Sequence, residues 1–337
     1  MPPRAPLFWW KPRGLLSRLL WPVAAFYGAI AGWRMRRSGQ AARIPVICIG
    51  NFTLGGSGKT PTVIALAQWL KSIGETPFVL SRGYGGRRKG PLRVETKNHR
   101  AEDVGDEPLL IARHIPVIVA RDRVMGTALA HDQGASLIVM DDGLQNPSLK
   151  KDVVVAVVDG RRGLGNACVF PAGPLRAPLA AQLEHIDAIL VIGTGEGAAR
   201  IAAIAGRHDL PLFHARLEPD ADALRAIGKA RLLAFAGIGD PEKFFATLED
   251  AGLTVAAREG FADHRPYTEA DAARLLAQAE RGKLLLLTTE KDRARLEGQT
   301  GALMRLHEQA KDLPVRLAIE NEEALRGLLR RALDKKR

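Results

Sequence analysis

A glycine-rich segment near the start of the chain has the residue types of a phosphate-binding loop. Residues 50–62 read GNFTLGGSGKTPT, and they match G-x-x-x-x-G-K-[ST] except that Thr53 stands in place of the first glycine. Glycines let backbone N–H groups turn toward phosphate oxygens, Lys59 would neutralise the β and γ phosphates, and the Thr60 hydroxyl would reach Mg²⁺. Short glycine-rich runs are usually ordinary turns, but the G-K-T ending between a predicted strand and a predicted helix favours a nucleotide site.

A pair of carboxylates follows another apolar run. LIVMDDG places Asp141 and Asp142 directly after four apolar residues, in an arrangement similar to a Walker B strand end. One carboxylate would bind Mg²⁺ and the other would hold a metal-bound water. Alone, the pair would indicate an Asp-Asp-Gly turn; together with the glycine-rich segment it predicts a metal site.

Three further clusters offer polar groups for catalysis or binding. AEDVGDEP contains Glu102, Asp103, Asp106 and Glu107 ahead of a predicted helix, where acids also favour the helix dipole. FADHRPYT places Asp263 beside His264, and either cluster would supply the group that accepts a proton from an attacking hydroxyl. The loop SRGYGGRRKGPLR would bind a substrate phosphate or form a solvated basic surface, through Arg82, Arg87, Arg88, Lys89 and Arg93.

The elements that must position these residues alternate between strands and helices. IPVICIG, TPFVL, PVIVA, SLIVM and VVVAVVD read as buried strands, and helices are predicted at 60–74, around 106–114 and near 121–133. Such alternation predicts an α/β fold with a mostly parallel sheet covered by helices. Ligands bind at the carboxyl ends of the strands in such sheets, which is where the glycine-rich segment and the Asp pair lie.

The charge of the chain is concentrated in its N-terminal arm. The 337 residues carry a net charge of +12, but residues 1–43 hold eight Lys or Arg and no acid, which leaves only +4 for the rest. Between Arg18 and Arg34 lie 15 uncharged residues, or roughly 22 Å of helix against the roughly 30 Å of a hydrocarbon core. This arm also holds four of the five tryptophans. The pattern favours a helix in the lipid headgroup layer over a packed helix, a spanning helix or a nucleic-acid arm.

The remaining composition predicts a globular protein in three units. We assign residues 1–40 to the membrane-associating arm, 41–225 to a nucleotide-binding domain and 226–337 to a smaller α/β domain. Cys48 and Cys168 have no C-x-x-C spacing, so neither a disulfide framework nor a zinc site is indicated. In GIGDPEKFF, we interpret Asp240 as a helix N-cap followed by Pro241 in the first turn.

Taken together, the motifs resemble the tetraacyldisaccharide 4′-kinase family of lipid A biosynthesis. The matching segments follow the family's order over about residues 49–292: GNFTLGGSGKTP, SRGYGG, VGDEP, VMDDGLQN, PAGPLR, AFAGIGDPEKFF, DHRPYT and TEKD. The resemblance implies a phosphate-loop domain joined to a smaller α/β domain, with the active site in the cleft between them. It also implies ATP- and Mg²⁺-dependent phosphorylation of the 4′-hydroxyl of a tetraacylated disaccharide 1-phosphate at the cytoplasmic face of the bacterial inner membrane.

Carried over to this chain, the resemblance assigns a role to each matching position. It implies that Asp106, rather than Asp103, activates the 4′-hydroxyl with His264 as its partner, and that Asp141 and Asp142 serve the metal with Thr60. The expected partners are the acylated disaccharide and a lipid surface, with neither nucleic acid nor a protein partner. The expected ATP-binding residues are Thr53, Leu54, Gly55, Gly56, Ser57, Gly58, Lys59 and Thr60.

Two departures from the family pattern and two alternative functions remain at this stage. Leu144 and Asn146 stand where the family commonly reads DDGFQH, and Ala177 stands where it commonly has the acid of LREP. One alternative is a membrane-associated ATPase switch, but such proteins carry a lysine where this chain has Leu54. The other is a kinase or synthetase acting on a soluble small molecule, which would have no use for the tryptophan-rich arm.

Overall fold

The computed structural model describes residues 5–263, 265–334 and 336. Its strands are β1 (Val46–Gly50), β2 (Pro77–Ser81), β3 (Leu92–Arg93), β4 (Val117–Val119), β5 (Leu137–Asp141), β6 (Val153–Asp159), β7 (Ala188–Ile192), β8 (Leu212–Pro219), β9 (Arg231–Ala236), β10 (Thr254–Gly260), β11 (Leu285–Thr289), β12 (Lys311–Leu313) and β13 (Val315–Ile319).

The helices follow the same alternation. A 3₁₀ turn at Leu7–Trp10 precedes α1 (Leu15–Leu19), α2 (Trp21–Met35), α3 (Lys59–Ser72), α4 (Ala101–Val104), α5 (Asp106–Ala112), α6 (Arg123–Asp132), α7 (Leu179–Leu183), α8 (Glu196–Arg207), α9 (Ala221–Ile227), α10 (Pro241–Asp250), α11 (Glu269–Gly282), α12 (Glu290–Leu296), α13 (Gly301–Gln309) and α14 (Glu322–Asp334).

The strands form two sheets. The large sheet has the order β13-β8-β7-β6-β1-β5-β2-β4-β3, parallel except for the antiparallel pairs β13 with β8 and β3 with β4. The small sheet has the order β10-β9-β11-β12 and is parallel throughout. The predicted α/β fold with a second, smaller α/β layer is thus confirmed.

The apolar strands are buried because helices cover both faces of the large sheet. Ile47 and Ile49 of β1 point into one core cluster and Val46 and Cys48 into the other, as the alternation of a strand requires. In β1, β2, β5, β6 and β7 every residue is buried, which explains their continuous apolar sequences.

The end of the chain returns to the large sheet. β13 pairs with β8, and Leu325 and Leu329 of α14 lie in the same core cluster as α3. The predicted unit 226–337 therefore does not keep all of its elements in the small sheet, whose last strand ends at Leu313. Sequence pattern could not indicate this return, because PVRLAIE has the same apolar character whichever sheet it joins.

Candidate active site

The glycine-rich segment forms a loop between the central strand of the large sheet and a helix. β1 ends at Gly50 and α3 begins at Lys59. Gly55 and Gly58 have φ angles of 106° and 90°, which favour glycine over other residues. At Gly58 a β-carbon would also lie 2.5 Å from Ile192 Cδ1, so a side chain there would require the end of Ile192 to shift.

Thr53 pairs with a neighbouring segment instead of making a turn. Its backbone forms an isolated bridge to Leu175, and the Leu54 N–H donates to the Pro174 carbonyl at 2.8 Å. Thr53 is not among the residues with a positive φ. A glycine is therefore not needed at this position, because the chain here is extended against residues 174–176.

Asp141 is the deeply buried member of the carboxylate pair. It ends β5, its side chain accepts a hydrogen bond from Ser81 Oγ at 3.1 Å, and its Oδ1 has no hydrogen-bond partner among the described residues. Burial, with the nearby Glu107 and Asp142 carboxylates, raises the pKa of Asp141 to about 7. A buried oxygen without a protein partner fits a site that receives a cation.

Asp142 has the opposite electrostatic environment. Its backbone has a φ of 53°, so the chain turns sharply at the strand end. Arg176 Nη1 donates to both of its oxygens at 2.9 and 3.0 Å, and Lys59 Nζ lies 3.5 Å from Oδ1. Although burial opposes ionisation, the Arg176 and Lys59 charges hold the pKa of Asp142 well below its usual range.

Arg176 joins the phosphate loop to the Asp pair. Besides Asp142, its Nε donates to the Thr53 carbonyl at 3.0 Å, and its own N–H donates to the Phe52 carbonyl. The next residue, Ala177, is fully buried in the core, where a carboxylate would have no access to solvent. Sequence reasoning noted the PAGPLR segment but assigned no role to Arg176.

Asp106 is the first residue of α5 and is buried against the small-sheet unit. Arg295 Nε donates to Asp106 Oδ2 at 2.6 Å, and Lys291 Nζ lies 3.0 Å from Glu107 Oε1 and 3.9 Å from Asp106 Oδ2. Lys291 also lies 3.6 Å from Asp263, so the structure brings the two predicted acidic clusters together. His264 lies outside the described residues. Lys291 and Arg295 were missed, although the TEKD segment that contains Lys291 had been noted.

Asp103 has a different role from Asp106. Its Oδ2 accepts a hydrogen bond from the Arg100 N–H at 3.0 Å, at the start of α4. The basic loop after β2 is also separate from the buried residues: Arg82, Arg87, Arg88, Lys89 and Arg93 are all exposed, and Arg87 pairs with Glu102 at 2.8 Å.

The loop after β9 lies over the phosphate loop. A β-carbon at Gly239 would be 3.0 Å from the Gly56 nitrogen, so the two loops approach closely and leave little space for a side chain. Asp240 precedes α10 as predicted, but its side chain makes no cap hydrogen bond. It pairs instead with Arg161 and Arg162 beyond β6.

The arm packs on the segment that carries Arg176. Its small residues Ala24, Gly28 and Gly32 form the buried face of α2, and Gly28 and Gly32 face Pro178. Trp21, Phe26 and Trp33 are each more than half exposed. Within the described part of the chain, no helix has both the length and the apolar character needed to cross a bilayer.

Comparisons with known proteins agree with this geometry. The sequence profile of the LpxK family, described as tetraacyldisaccharide-1-P 4'-kinase, matches residues 16–334. A tetraacyldisaccharide 4'-kinase of Rhodopseudomonas palustris is 52% identical over 334 residues, 99% of this chain and 98% of the relative. One of Nitrobacter winogradskyi is 52% identical over 326 residues, 97% of this chain and 96% of the relative.

A solved structure is similar over nearly the whole fold. The crystal structure of LpxK from Aquifex aeolicus in complex with ATP has a TM-score of 0.72 and 27% sequence identity, and it covers 95% of this chain and 100% of that one. The resemblance drawn from the motifs is confirmed, and the chain belongs to the LpxK family of tetraacyldisaccharide 4′-kinases.

Proposed function

We propose that this chain transfers the γ-phosphate of ATP to the 4′-hydroxyl of a tetraacylated glucosamine disaccharide 1-phosphate. Its family is one of phosphotransferases of lipid A biosynthesis. The observation that carries the proposal is that three groups of residues singled out in the sequence lie near one another. They are the glycine-rich loop with Lys59, the Asp141–Asp142 pair and the Asp106–Glu107 segment. Lys59 contacts Asp142, and Glu107, beside Asp106, is close enough to raise the pKa of Asp141.

The phosphate loop is suited to hold the nucleotide. Exposed backbone at Gly55 and Gly56 leaves N–H groups available to phosphate oxygens, and the side chain of Lys59 is only 10% exposed, where its charge is poorly screened. The buried Ser57 Oγ has no hydrogen-bond partner among the residues that the structure describes. These features support ATP binding by residues 53–60.

The carboxylate pair fits a divalent cation. Asp141 would bind Mg²⁺ through its buried oxygen together with the Thr60 hydroxyl, while Asp142, held by Arg176, would support the metal's water shell. When bound, Mg²⁺ would neutralise charge on the β and γ phosphates.

Asp106 is our candidate for the group that accepts the proton of the 4′-hydroxyl. It is buried and lies beside the loop after β10, where the sequence also places His264, its proposed partner. Asp103 is a weaker candidate, because its carboxylate caps α4. The proton would pass from the hydroxyl to Asp106 as the oxygen attacks phosphorus and ADP leaves.

The arm supports a location at the cytoplasmic face of the inner membrane. Its exposed tryptophans and apolar residues face away from the protein body, next to basic residues that attract anionic lipid. Because an acylated disaccharide stays in the bilayer, the arm would bring the kinase to its substrate.

We further propose that the chain is divided into the arm, the nucleotide-binding domain and the smaller domain, with residues 315–334 packed on the nucleotide-binding domain.

The direct test is to incubate the protein with γ-labelled ATP, Mg²⁺ and tetraacyldisaccharide 1-phosphate in mixed micelles. We expect label in the lipid product, with Asp106→Asn reducing the rate by a factor on the order of 100 to 10,000. Label found only as free phosphate would favour the ATPase alternative. Near-normal transfer by Asp106→Asn would refute the assignment of Asp106 but not the kinase activity.

A further inference from the structure

Arg295 connects the small-sheet unit to the proposed catalytic carboxylate. It lies in α12, which packs against α5, and its Nε donates to Asp106 Oδ2 at 2.6 Å. The side chains of Arg295 and Asp106 are 7% and 6% exposed, so solvent screens the pair only weakly.

The other end of the guanidinium is fixed within its own unit. Arg295 Nη1 donates to the Gly237 carbonyl at 2.6 Å and to Asp292 Oδ1 at 2.8 Å. The fully buried Asp292 in turn accepts hydrogen bonds from the Gly237 N–H, from Tyr267 Oη at 2.9 Å and from Thr289 Oγ1 at 2.7 Å. These bonds leave the guanidinium little freedom to turn away from Asp106.

Gly237 lies close to both members of this ion pair. A β-carbon at this position would lie 2.9 Å from Arg295 Nη1 and 3.0 Å from Asp292 Oδ1. Gly237 also begins the loop whose Gly239 approaches the phosphate loop at Gly56. The same short segment therefore contacts both the nucleotide-binding loop and the support of Asp106.

The Asp106 carboxylate is thus held at both oxygens. Oδ1 accepts the Glu107 backbone N–H at 2.9 Å and Oδ2 accepts Arg295. Among the residues that the structure describes, Lys291, nearest to Glu107, also lies on this side, as does Asp263, which is 3.9 Å from Arg295 Nη2. Burial opposes the charge of Arg295, but the nearby carboxylates of Asp292 and Asp106 outweigh it and raise the pKa of Arg295, so the guanidinium stays charged.

We propose that Arg295 is a positioning residue for phosphoryl transfer: held by Asp292, it fixes the Asp106 carboxylate in the orientation that receives the 4′-hydroxyl proton. This inference rests on the assignment of Asp106 as the proton acceptor. Because Arg295 belongs to the small-sheet unit and Asp106 to the large-sheet unit, the proton acceptor is oriented only when the two units are in contact.

The test is a double-mutant cycle with label transfer measured per ATP-binding site. Arg295→Met should lower kcat by roughly 10 to 100-fold with the KM for ATP nearly unchanged, because a displaced reactive group costs turnover. In an Asp106→Asn background the same substitution should change the residual rate by less than about two-fold, since Arg295 acts through that carboxylate. Arg295→Lys keeps the positive charge but loses the paired N–H groups of the guanidinium, so its kcat should lie between that of the parent and that of Arg295→Met.

Arg293→Met is the matched control. Arg293 lies on the same helix but pairs with Asp312 at 2.6 Å, and it should keep kcat within about two-fold of the parent. If Arg295→Met or Arg295→Lys lowered kcat by the same factor in the parent and in the Asp106→Asn protein, Arg295 would only stabilise the fold. That result would overturn the proposal. So would normal kcat in both Arg295 variants. If instead Asp106→Asn itself is close to the parent, the proposed proton acceptor is wrong, and the inference falls for that separate reason.

Discussion

Asp141 should make the metal-free protein less stable as the pH rises. Its folded-state pKa is about 7 against an ordinary 3.8, because burial disfavours the carboxylate. The native state then binds more protons than the unfolded chain between these two values, so the free energy of unfolding falls as pH rises from about 4 to about 7. Below pH 4 both states are protonated and the effect disappears.

Asp141→Asn removes this ionisation while keeping the shape of the side chain. Linkage with the two pKa values gives an expected gain in the free energy of unfolding of about 4 kcal/mol at pH 8 and about 2 kcal/mol at pH 5. The hydrogen bond from Ser81 can be kept by the amide oxygen, so little should be lost in exchange. The same variant should lose most of its transfer activity, because it loses the proposed metal ligand.

The adjacent Asp142 is a matched control with the opposite sign. Arg176 and Lys59 lower its pKa, so it stabilises the fold above the unfolded pKa and loses that contribution as the pH falls. Asn tolerates the φ of 53° at this position, so Asp142→Asn tests charge rather than backbone strain. It should lower the free energy of unfolding at pH 8, by a modest amount because the side chain is 32% exposed.

The assay is urea unfolding of both variants and the parent at pH 5 and pH 8, with EDTA and without nucleotide. The two pKa values of Asp141 predict that the gain from Asp141→Asn is larger at pH 8 than at pH 5. An Asp141→Asn protein that is no more stable than its parent at pH 8, or equally more stable at both pH values, would refute this prediction. If Asp142→Asn also gained stability, the assigned difference between the two sites would be wrong.

Three further changes test other parts of the site. Gly58→Ala should lower the melting temperature and weaken ATP binding, because Gly58 has a positive φ and a β-carbon there would contact Ile192. Gly56→Ala has space for a methyl group, so it should leave the melting temperature unchanged and raise only the KM for ATP. Lys59→Ala should lower kcat by orders of magnitude in the label-transfer assay while leaving the fold intact. Serine at the exposed arm positions should abolish flotation with anionic vesicles without lowering the melting temperature, and binding at the parent level would contradict the proposed membrane contact. The serine variant changes Trp21, Phe26 and Trp33.

The sequence placed the candidate site residues correctly relative to the strands and helices where they lie within one continuous segment. The phosphate loop between β1 and α3 and the Asp pair at the end of β5 lie where the motifs predicted, because each is fixed by a strand and a turn next to it in the chain. The buried strands were recognised because a sheet covered on both faces demands apolar side chains at every position. Helices α4, α7, α8, α9, α12 and α13 were not predicted.

The residues that the sequence missed act on partners far away in the chain. Arg176 holds Asp142 and Thr53, and Arg295 holds Asp106 from 189 positions away. A lone arginine in a sequence reads the same whether it is solvated or buried against a carboxylate, since its local pattern does not change. Only its burial and its partner distinguish the two.

The sequence by itself therefore determined the parallel α/β fold, the phosphate loop and the family. It could do so because glycine conformations, strand alternation and motif order are local properties of the chain. Tertiary structure alone decided that β13 and α14 return to the large sheet, that Asp141 and Asp142 have opposite electrostatic environments, and that Arg295 reaches Asp106. Each of these depends on which distant charges and apolar surfaces meet when the two sheets pack, and the free energy of such contacts is not encoded within any single segment.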